Sequence, residues 1–258
     1  MAEIWKSVTM TGPVPGDAFG DLLRRCWAGG GAPGRAIEIV ERDDGFIGAG
    51  DAARYFGGAD SWSPREAAIL SHARGRILDI GCGAGRLMIT LRERGLGSEG
   101  IDPSPGAVEV CRERGLNVSV GDIDRPPAGP FDTFMLFGSN LSLLGSPALA
   151  PARLAALAAV AAPGAQILGS STDPYGTADP VHTAYHARNR EQGLPGGRLR
   201  LRVRHADRAT DWFEYWLLSV AELEDVLRGS PWRLDTVEQR EDEPVYAVVL
   251  TLIRPSLI

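Results

Sequence analysis

The chain has few of the residues that mark several large classes of protein. Its three cysteines, Cys26, Cys82 and Cys111, include no CxxC pair, which predicts a reduced, cytoplasmic protein. No apolar run reaches the roughly 18 residues of a membrane-spanning helix, so no membrane association is expected. The first residues also lack a basic region followed by an apolar run, so no signal peptide is expected.

Positive charge is scarce as well. The 258 residues include 27 Lys and Arg against 33 Asp and Glu, and Lys6 is the single lysine. Nucleic-acid phosphates require a basic face, so a nucleic-acid partner is not expected. The length suits one α/β domain with additions, which can bury a core without disulfides or metals. The protein is expected to be a monomer or a homodimer.

Short apolar segments alternate with helical segments between residues 76 and 170. Ser63 to Glu66 form a capping box with Pro64 at the first helical position, and a helix is predicted from there to about residue 73. The alternation then predicts strand, helix and strand in turn, which indicates right-handed crossovers and a mostly parallel sheet. The predicted strands are 76–80, 97–101, 117–120, 131–137 and 166–170, and the helices between them are 86–94, 105–114 and 149–161.

The two ends of the chain have a different pattern. Residues 1–62 are rich in glycine and irregular, and are predicted to form a cap or lid. Residues 63–258 are predicted to form the main domain, with an insertion at about 172–215 that contains an antiparallel hairpin. Two later runs, 233–237 and 246–253, are predicted to close the main sheet as a second hairpin.

A glycine-rich segment, Asp-Ile-Gly-Cys-Gly-Ala-Gly at residues 79–85, comes after a predicted strand and opens a helix. Its glycines allow a sharp turn, and the helix start offers free N–H groups and partial positive charge. A dinucleotide loop, Gly-x-Gly-x-x-Gly, requires glycine at position 86, where this chain has arginine. Asp79 favours a cationic ligand and would repel a diphosphate.

Acidic residues recur at the ends of the next two strands, Asp102 after the second and Asp122 after the third. The spacing acidic-x-Gly-x-Gly-x-Gly, with these acids after it, resembles the class I Rossmann-like S-adenosylmethionine-dependent methyltransferases over roughly residues 63–171. The resemblance implies an α/β fold with a mostly parallel seven-stranded sheet, helices on both faces, an N-terminal cap and an inserted antiparallel β-hairpin. It also implies S-adenosyl-L-methionine as cofactor and S-adenosyl-L-homocysteine as product.

In that family the loop acid holds the methionine ammonium, the second acid holds the ribose hydroxyls, and the third strand end binds adenine. Fourth-strand residues line the cofactor. Carried over to this chain, the resemblance implies a cofactor site of Asp79, Gly81, Cys82, Gly83, Gly85, Asp102, Pro103, Asp122, Ile123, Phe137 and Gly138.

The segment after the fourth strand narrows the substrate class. Residues 138–141 read Gly-Ser-Asn-Leu, without the Asn/Asp-Pro-Pro-aromatic motif of enzymes that methylate base amino groups. The Pro-Cys pair of cytosine C5 enzymes and the paired glutamates of arginine methyltransferases are also missing. The resemblance then favours O- or N-methylation of a small molecule, as is common in secondary metabolism. A peptide or protein methyltransferase, and a binding protein that does not methylate, are the alternatives.

Several aromatic and histidine residues are candidates for the substrate side. A lid of Tyr55, Phe56, Trp62, Asn140, Tyr175 and Tyr185 is predicted, because methyl transfer requires alignment and exclusion of water. His182 and His186, one helical turn apart, are candidates for a general base, with a structural role as the alternative. No His-Glu-x-x-His pattern accompanies them, so no metal is expected.

Four arginines alternate with apolar residues over 198–204, which places them on one face of a predicted strand. The simpler interpretation is a solvated face paired with nearby acids such as Asp207, Asp211 or Glu214. The alternative is an anchor for an acidic group of the substrate.

Overall fold

The computed structural model of the chain describes residues 12–240 and 243–253. Its strands are β1 (Val14–Pro15), β2 (Ile37–Arg42), β3 (Ile47–Asp51), β4 (Ile77–Ile80), β5 (Ser98–Asp102), β6 (Val118–Val120), β7 (Phe131–Leu136), β8 (Ala161–Thr172), β9 (Arg198–His205), β10 (Arg208–Ala209), β11 (Phe213–Trp216), β12 (Trp232–Gln239) and β13 (Val245–Leu252). Its α-helices are α1 (Ala18–Ala28), α2 (Pro64–Leu70), α3 (Arg86–Glu93), α4 (Pro105–Glu113), α5 (Ala150–Ala159), α6 (Pro180–Glu191) and α7 (Val220–Leu227). None of these helices is long and apolar enough to cross a membrane.

The main sheet has seven strands in the order β12-β13-β8-β7-β4-β5-β6. The strands from β8 to β6 pair in parallel, and β13 and β12 add antiparallel pairs at one edge. This is the Rossmann-like sheet that the alternating pattern predicts, with the C-terminal hairpin closing it. The carboxyl ends of β4 and β5 lie side by side, which brings the segments after Ile80 and Asp102 to one edge.

The main sheet is covered on both faces. All four residues of β4 are buried, as expected for a central parallel strand. Because side chains alternate between faces, Leu78 packs in one apolar cluster with Phe134 and Trp232, while Ile77 packs in another with Met135. The predicted capping box at the start of α2 is present, since Ser63 and Glu66 bond to each other's backbone N–H groups.

A second sheet lies outside the predicted topology. It has six strands in the order β1-β10-β9-β2-β3, with β11 also paired to β9. The predicted hairpin is present as β9 and β11, which pair antiparallel. β9 also pairs antiparallel with β2 from the N-terminal segment, with Val203 opposite Val40. The N-terminal cap and the insertion, which the sequence suggests as two separate additions, are therefore one structure, here called the cover sheet (β1, β2, β3, β9, β10 and β11).

Three of the four arginines in the β9 stripe are paired with acids. Arg202 and Arg204 contact Glu41 on the neighbouring strand β2, and Arg198 contacts Glu214 on β11. The guanidinium of Arg202 also lies 4.7 Å from the Trp212 ring centroid. The arginines in these pairs are half-buried, and each is held by an acid of a neighbouring strand. This arrangement agrees with a solvated face, in which Glu41 is a partner that the local sequence does not indicate.

Candidate active site

The glycine-rich segment forms the turn between β4 and α3. Gly81 has a φ of 71°, a left-handed conformation that favours glycine. A Cβ added there would lie 2.8 Å from Nδ2 of Asn140. That amide donates hydrogen bonds of 3.0 Å to the carbonyls of Ile80 and Gly81, which fixes the turn. The turn thereby presents its backbone and the Asp79 side chain to one cavity.

Asp79 is a buried carboxyl group at the end of β4, only 3% exposed. Among the described residues, its Oδ2 atom has no hydrogen-bond partner. Burial, with the charge of Asp102 as a second cause, raises the pKa of Asp79 to about 7. An unpartnered buried acceptor of this kind is costly unless a ligand completes it. It suits the ammonium group of S-adenosylmethionine.

Asp102 ends β5 beside the same turn. Its Oδ2 accepts the Gly83 N–H at 2.9 Å, and its Oδ1 accepts the Ser104 N–H at 2.9 Å. Burial raises the pKa of Asp102 to about 6, against the lowering effect of these two N–H groups. Each oxygen retains a further lone pair that could accept a ribose hydroxyl.

The remaining candidate cofactor residues lie around this pair. All but one of the predicted set line the same cavity, which has a volume of about 790 Å³. The exception is Gly85, whose φ of 76° is in the left-handed region and favours glycine. The lining members are Asp79, Gly81, Cys82, Gly83, Asp102, Pro103, Asp122, Ile123, Phe137 and Gly138.

Arg86, the residue that breaks the dinucleotide pattern, also lines the cavity. Its guanidinium lies 3.9 Å from the Trp62 ring centroid. Burial lowers the pKa of Arg86, partly offset by the charges of Glu66 and Asp79. A cation beside Asp79 would suit the carboxylate of the same amino-acid group whose ammonium Asp79 receives.

The start of α1 is attached to the cofactor end of the cavity. The Asp17 carboxylate caps α1 by accepting the Gly20 N–H at 2.9 Å. It also accepts the Ser104 hydroxyl at 2.7 Å and the Gly106 N–H at 2.8 Å. Asp17 therefore connects the N-terminal segment directly to the loop after Asp102.

The cover sheet forms the end of the cavity that lies away from Asp79 and Asp102. Three predicted lid residues, Tyr55, Trp62 and Asn140, also line the cavity. They lie near the glycine turn, since Asn140 bonds to it, Trp62 packs against Arg86 and Tyr55 would meet a Cβ at Gly83 at 3.8 Å. The sequence does not indicate the remaining members, which lie on or beside strands of the cover sheet. These are Glu38, Val40, Arg54, Leu201, Val203, Thr210, Asp211, Phe213 and Tyr215.

The two candidate histidines do not line the cavity. Nδ1 of His182 lies 3.0 Å from Nη1 of Arg42, and its ring packs on Phe46. His186 is buried, and burial lowers its pKa. Both belong to α6, which packs against the cover sheet away from the glycine turn, so neither is placed to act as the base.

Three other candidate lid residues also lie elsewhere. Phe56 stacks on Trp27, the Tyr175 hydroxyl donates to Glu222 at 2.8 Å, and the Tyr185 hydroxyl donates to Asp43 at 2.8 Å. None of the three lines the cavity. Across the described ranges, no group of three or more His, Cys, Asp or Glu residues is arranged to hold a metal ion.

Comparisons with known proteins match the part of the chain that contains the glycine turn. Residues 77–164 match the family model described as "Methyltransferase domain". A release factor glutamine methyltransferase from Rhodospirillum rubrum is 40% identical over 95 residues, 29% of this chain and 29% of that protein. A malonyl-[acyl-carrier protein] O-methyltransferase from Serratia marcescens is 35% identical over 103 residues, 39% of this chain and 40% of that protein. The chain thus matches less than half the length of these curated relatives.

Solved structures share the fold over more of the chain. A methyltransferase from Bacteroides fragilis, crystallised with S-adenosyl-L-homocysteine, has a TM-score of 0.78 at 20% identity, covering 95% of this chain and 99% of that one. A methyltransferase from Methanosarcina mazei has a TM-score of 0.59 at 17% identity, covering 74% and 98%. Residues 77–164 thus match a methyltransferase domain, and the chain shares the Rossmann-like fold of these S-adenosylmethionine-dependent methyltransferases.

Proposed function

We propose that the protein transfers a methyl group from S-adenosylmethionine to an oxygen or nitrogen atom of a small molecule. One observation carries the proposal. The buried acids of the glycine turn and the apolar side chains of the cover sheet line the same cavity. A donor held at the first set and an acceptor held at the second would lie in one shared cavity, as methyl transfer requires.

The residues of the turn and its neighbours would divide the cofactor between them. Asp79 receives the ammonium group, Arg86 suits the carboxylate, and Asp102 receives the ribose hydroxyls. Ile123 and Asp122 lie at the adenine end. The bound cofactor supplies an electrophilic methyl group on a sulfonium, and the protein supplies position and exclusion of water.

The size of the cavity supports a small acceptor. A volume of about 790 Å³ for both ligands is within the range of small-molecule sites, roughly 300–1,000 Å³. The cover sheet closes the acceptor end with Leu201, Val203 and Phe213. Such walls suit an apolar or aromatic molecule with one reacting polar group.

The test is incubation of the protein with S-adenosylmethionine carrying a deuterated methyl group and a bacterial extract divided by molecular mass. We expect the label in a compound of the low-mass fraction, together with S-adenosylhomocysteine. Label in the protein fraction alone would indicate a peptide or protein acceptor. Tight cofactor binding without label in any fraction would indicate a binding protein that does not methylate.

A further inference from the structure

Glu38 has an unusual position for a charged residue on a strand. Its neighbour Ile37 is 47% exposed, whereas Glu38 is 2% exposed and lines the cavity. An ordinary surface strand places its apolar side chains inside and its charges outside. In β2 the apolar Ile37 is exposed and the charged Glu38 is buried. Burial of a charge costs stability, so the position of Glu38 indicates a functional role for its carboxylate.

Two neighbouring residues hold Glu38 in place. The Tyr55 hydroxyl donates to Oε1 of Glu38 at 2.9 Å, and Arg54 forms an ion pair with Oε2. Nη2 of Arg54 also donates to the Tyr55 hydroxyl at 3.0 Å. Each carboxylate oxygen thus has one protein partner and retains a lone pair for a ligand. Both partners also line the cavity.

The charges that line the cavity favour a neutral or cationic acceptor. Arg54 is paired with Glu38, and Arg86 lies by the glycine turn next to Trp62. At the cover-sheet end Arg54 is balanced by Glu38 and Asp211 adds a further carboxylate, so an anionic acceptor would meet like charge. The acids that line the cavity are Asp17, Glu38, Asp79, Asp102, Asp122 and Asp211.

We propose that Glu38 accepts the proton that the acceptor loses, and that the site therefore takes hydroxyl or amine acceptors rather than carboxylates. The inference rests on the proposed methyl transfer. The acceptor's lone pair forms the new bond to the methyl carbon while the carbon–sulfur bond breaks and its electrons remain on sulfur. The O–H or N–H proton moves to a Glu38 oxygen and is later released to water.

Tyr55 is a positioning residue in this account, because it acts through Glu38. A carboxylate acceptor has no proton to lose and would lie next to a buried carboxylate. With such an acceptor, Glu38 would have no proton to receive and would only repel the bound carboxylate. The choice of acceptor class and the role of Glu38 are therefore one claim, and a single set of variants tests both.

The first experiment measures binding and does not depend on turnover. Phenol, benzylamine and benzoate are titrated by NMR into protein saturated with S-adenosylhomocysteine. Wild type is expected to bind phenol and benzylamine at least about tenfold more tightly than benzoate, a difference of about 1.4 kcal/mol. Glu38→Gln should abolish this preference. Glu41→Gln, on the same strand but paired with Arg202 and Arg204 away from the cavity, should retain it.

The second experiment measures methyl transfer to acceptors of the same three classes over a range of pH. Glu38→Gln should reduce the rate on the order of 10²-fold or more, the usual contribution of a general base, while affinity for S-adenosylhomocysteine is unchanged. Tyr55→Phe should cause a smaller loss and move the pH profile. If Glu38→Gln does not fold, Tyr55→Phe and the wild-type preference still decide the question.

Benzoate binding as tightly as phenol and benzylamine would overturn the inference, and so would a Glu38→Gln variant with the wild-type rate. Failure of the proposed function has a different signature. In that case no class of acceptor is methylated although S-adenosylhomocysteine binds, and the binding experiment then tests only the effect of Glu38 on ligand preference.

Discussion

The hydroxyl of Ser104 donates a 2.7 Å hydrogen bond to the carboxylate of Asp17. This contact joins the N-terminal cap of α1 to the loop that comes after Asp102. The segment that starts α1 and the cofactor end of the cavity are therefore linked by this side chain. The stability of the N-terminal segment and the affinity for the cofactor should depend on each other.

Asp17→Ala tests this connection. The variant loses a helix cap and two hydrogen bonds to the cofactor loop, so the free energy of unfolding should fall by about 1–3 kcal/mol. Affinity for S-adenosylhomocysteine should also fall, because the Ser104 hydroxyl and the Gly106 N–H lose their acceptor beside Asp102. Asp179→Ala, which removes the cap of α6 far from the cavity, is the control. Its stability should fall while its affinity stays at the wild-type value, and equal affinities for both variants would contradict the account.

Gly106→Ala tests the close approach of α1 and α4. A Cβ at this position would lie 2.6 Å from Cα of Gly20, so the two helices must separate. Overpacking of this kind should reduce the free energy of unfolding by about 1–3 kcal/mol in chemical denaturation. Gly97→Ala is the matched control, since its Cβ would meet no atom within 4 Å. Equal stability of the two variants would show that the helix contact is not tight.

The affinity for the cofactor should depend on pH through Asp79. The pKa of this group is raised to about 7, so the carboxylate that attracts the ammonium forms only as pH rises through that value. Calorimetric affinity for S-adenosylhomocysteine should increase between about pH 6 and pH 8 in wild type, and the increase should be smaller in Asp79→Asn. A wild-type affinity that does not change over this range would contradict the role of Asp79.

Asp79 should also make the ligand-free protein less stable as pH rises, whereas it makes cofactor binding tighter. A carboxyl group whose pKa is raised by folding stabilises the folded state only while it is protonated. Its contribution is therefore lost as pH rises from the ordinary aspartate value of 3.8 through about 7. Free Asp79→Asn should consequently be more stable than free wild type at pH 8. A lower melting temperature of the variant at that pH would contradict this expectation.

Asp102→Asn tests the ribose position. The variant keeps the shape of the side chain but loses the charge that strengthens its hydrogen bonds, each worth about 1.5–3 kcal/mol when one partner is ionised. Affinity for S-adenosylhomocysteine should fall by about 10-fold to 100-fold. Asp235→Asn, on β12 and paired with Arg233, is the control and should bind normally. Unchanged binding by Asp102→Asn would exclude the ribose role.

The main sheet could be predicted from the sequence because each of its signals is local. The capping box at Ser63, the glycines after β4 and the acid that ends β5 all lie within a few residues of the structure they specify. Parallel strands joined by helices also have one usual handedness, so a local pattern determines a global topology. The cofactor end of the cavity is predicted by the same signals.

The acceptor end could not be predicted in the same way. β2 and β9 are separated by more than half of the chain, and neither strand has a sequence feature that predicts its pairing with the other. Glu38 stands between two isoleucines, where alternation alone predicts an exposed charge. The two histidines have the spacing of a site but lie on a helix that packs against the cover sheet. Residues of the acceptor end can therefore be identified only once the pairing of the strands is known.

The central claim is that the glycine turn with Asp79 and Asp102 holds S-adenosylmethionine. Calorimetric titration of the protein with S-adenosylmethionine, S-adenosylhomocysteine and NAD⁺ tests it most directly. We expect one-to-one binding of the first two ligands and no binding of NAD⁺, whose diphosphate would meet Asp79. Binding of NAD⁺, or no binding of S-adenosylmethionine by the folded protein, would contradict the claim.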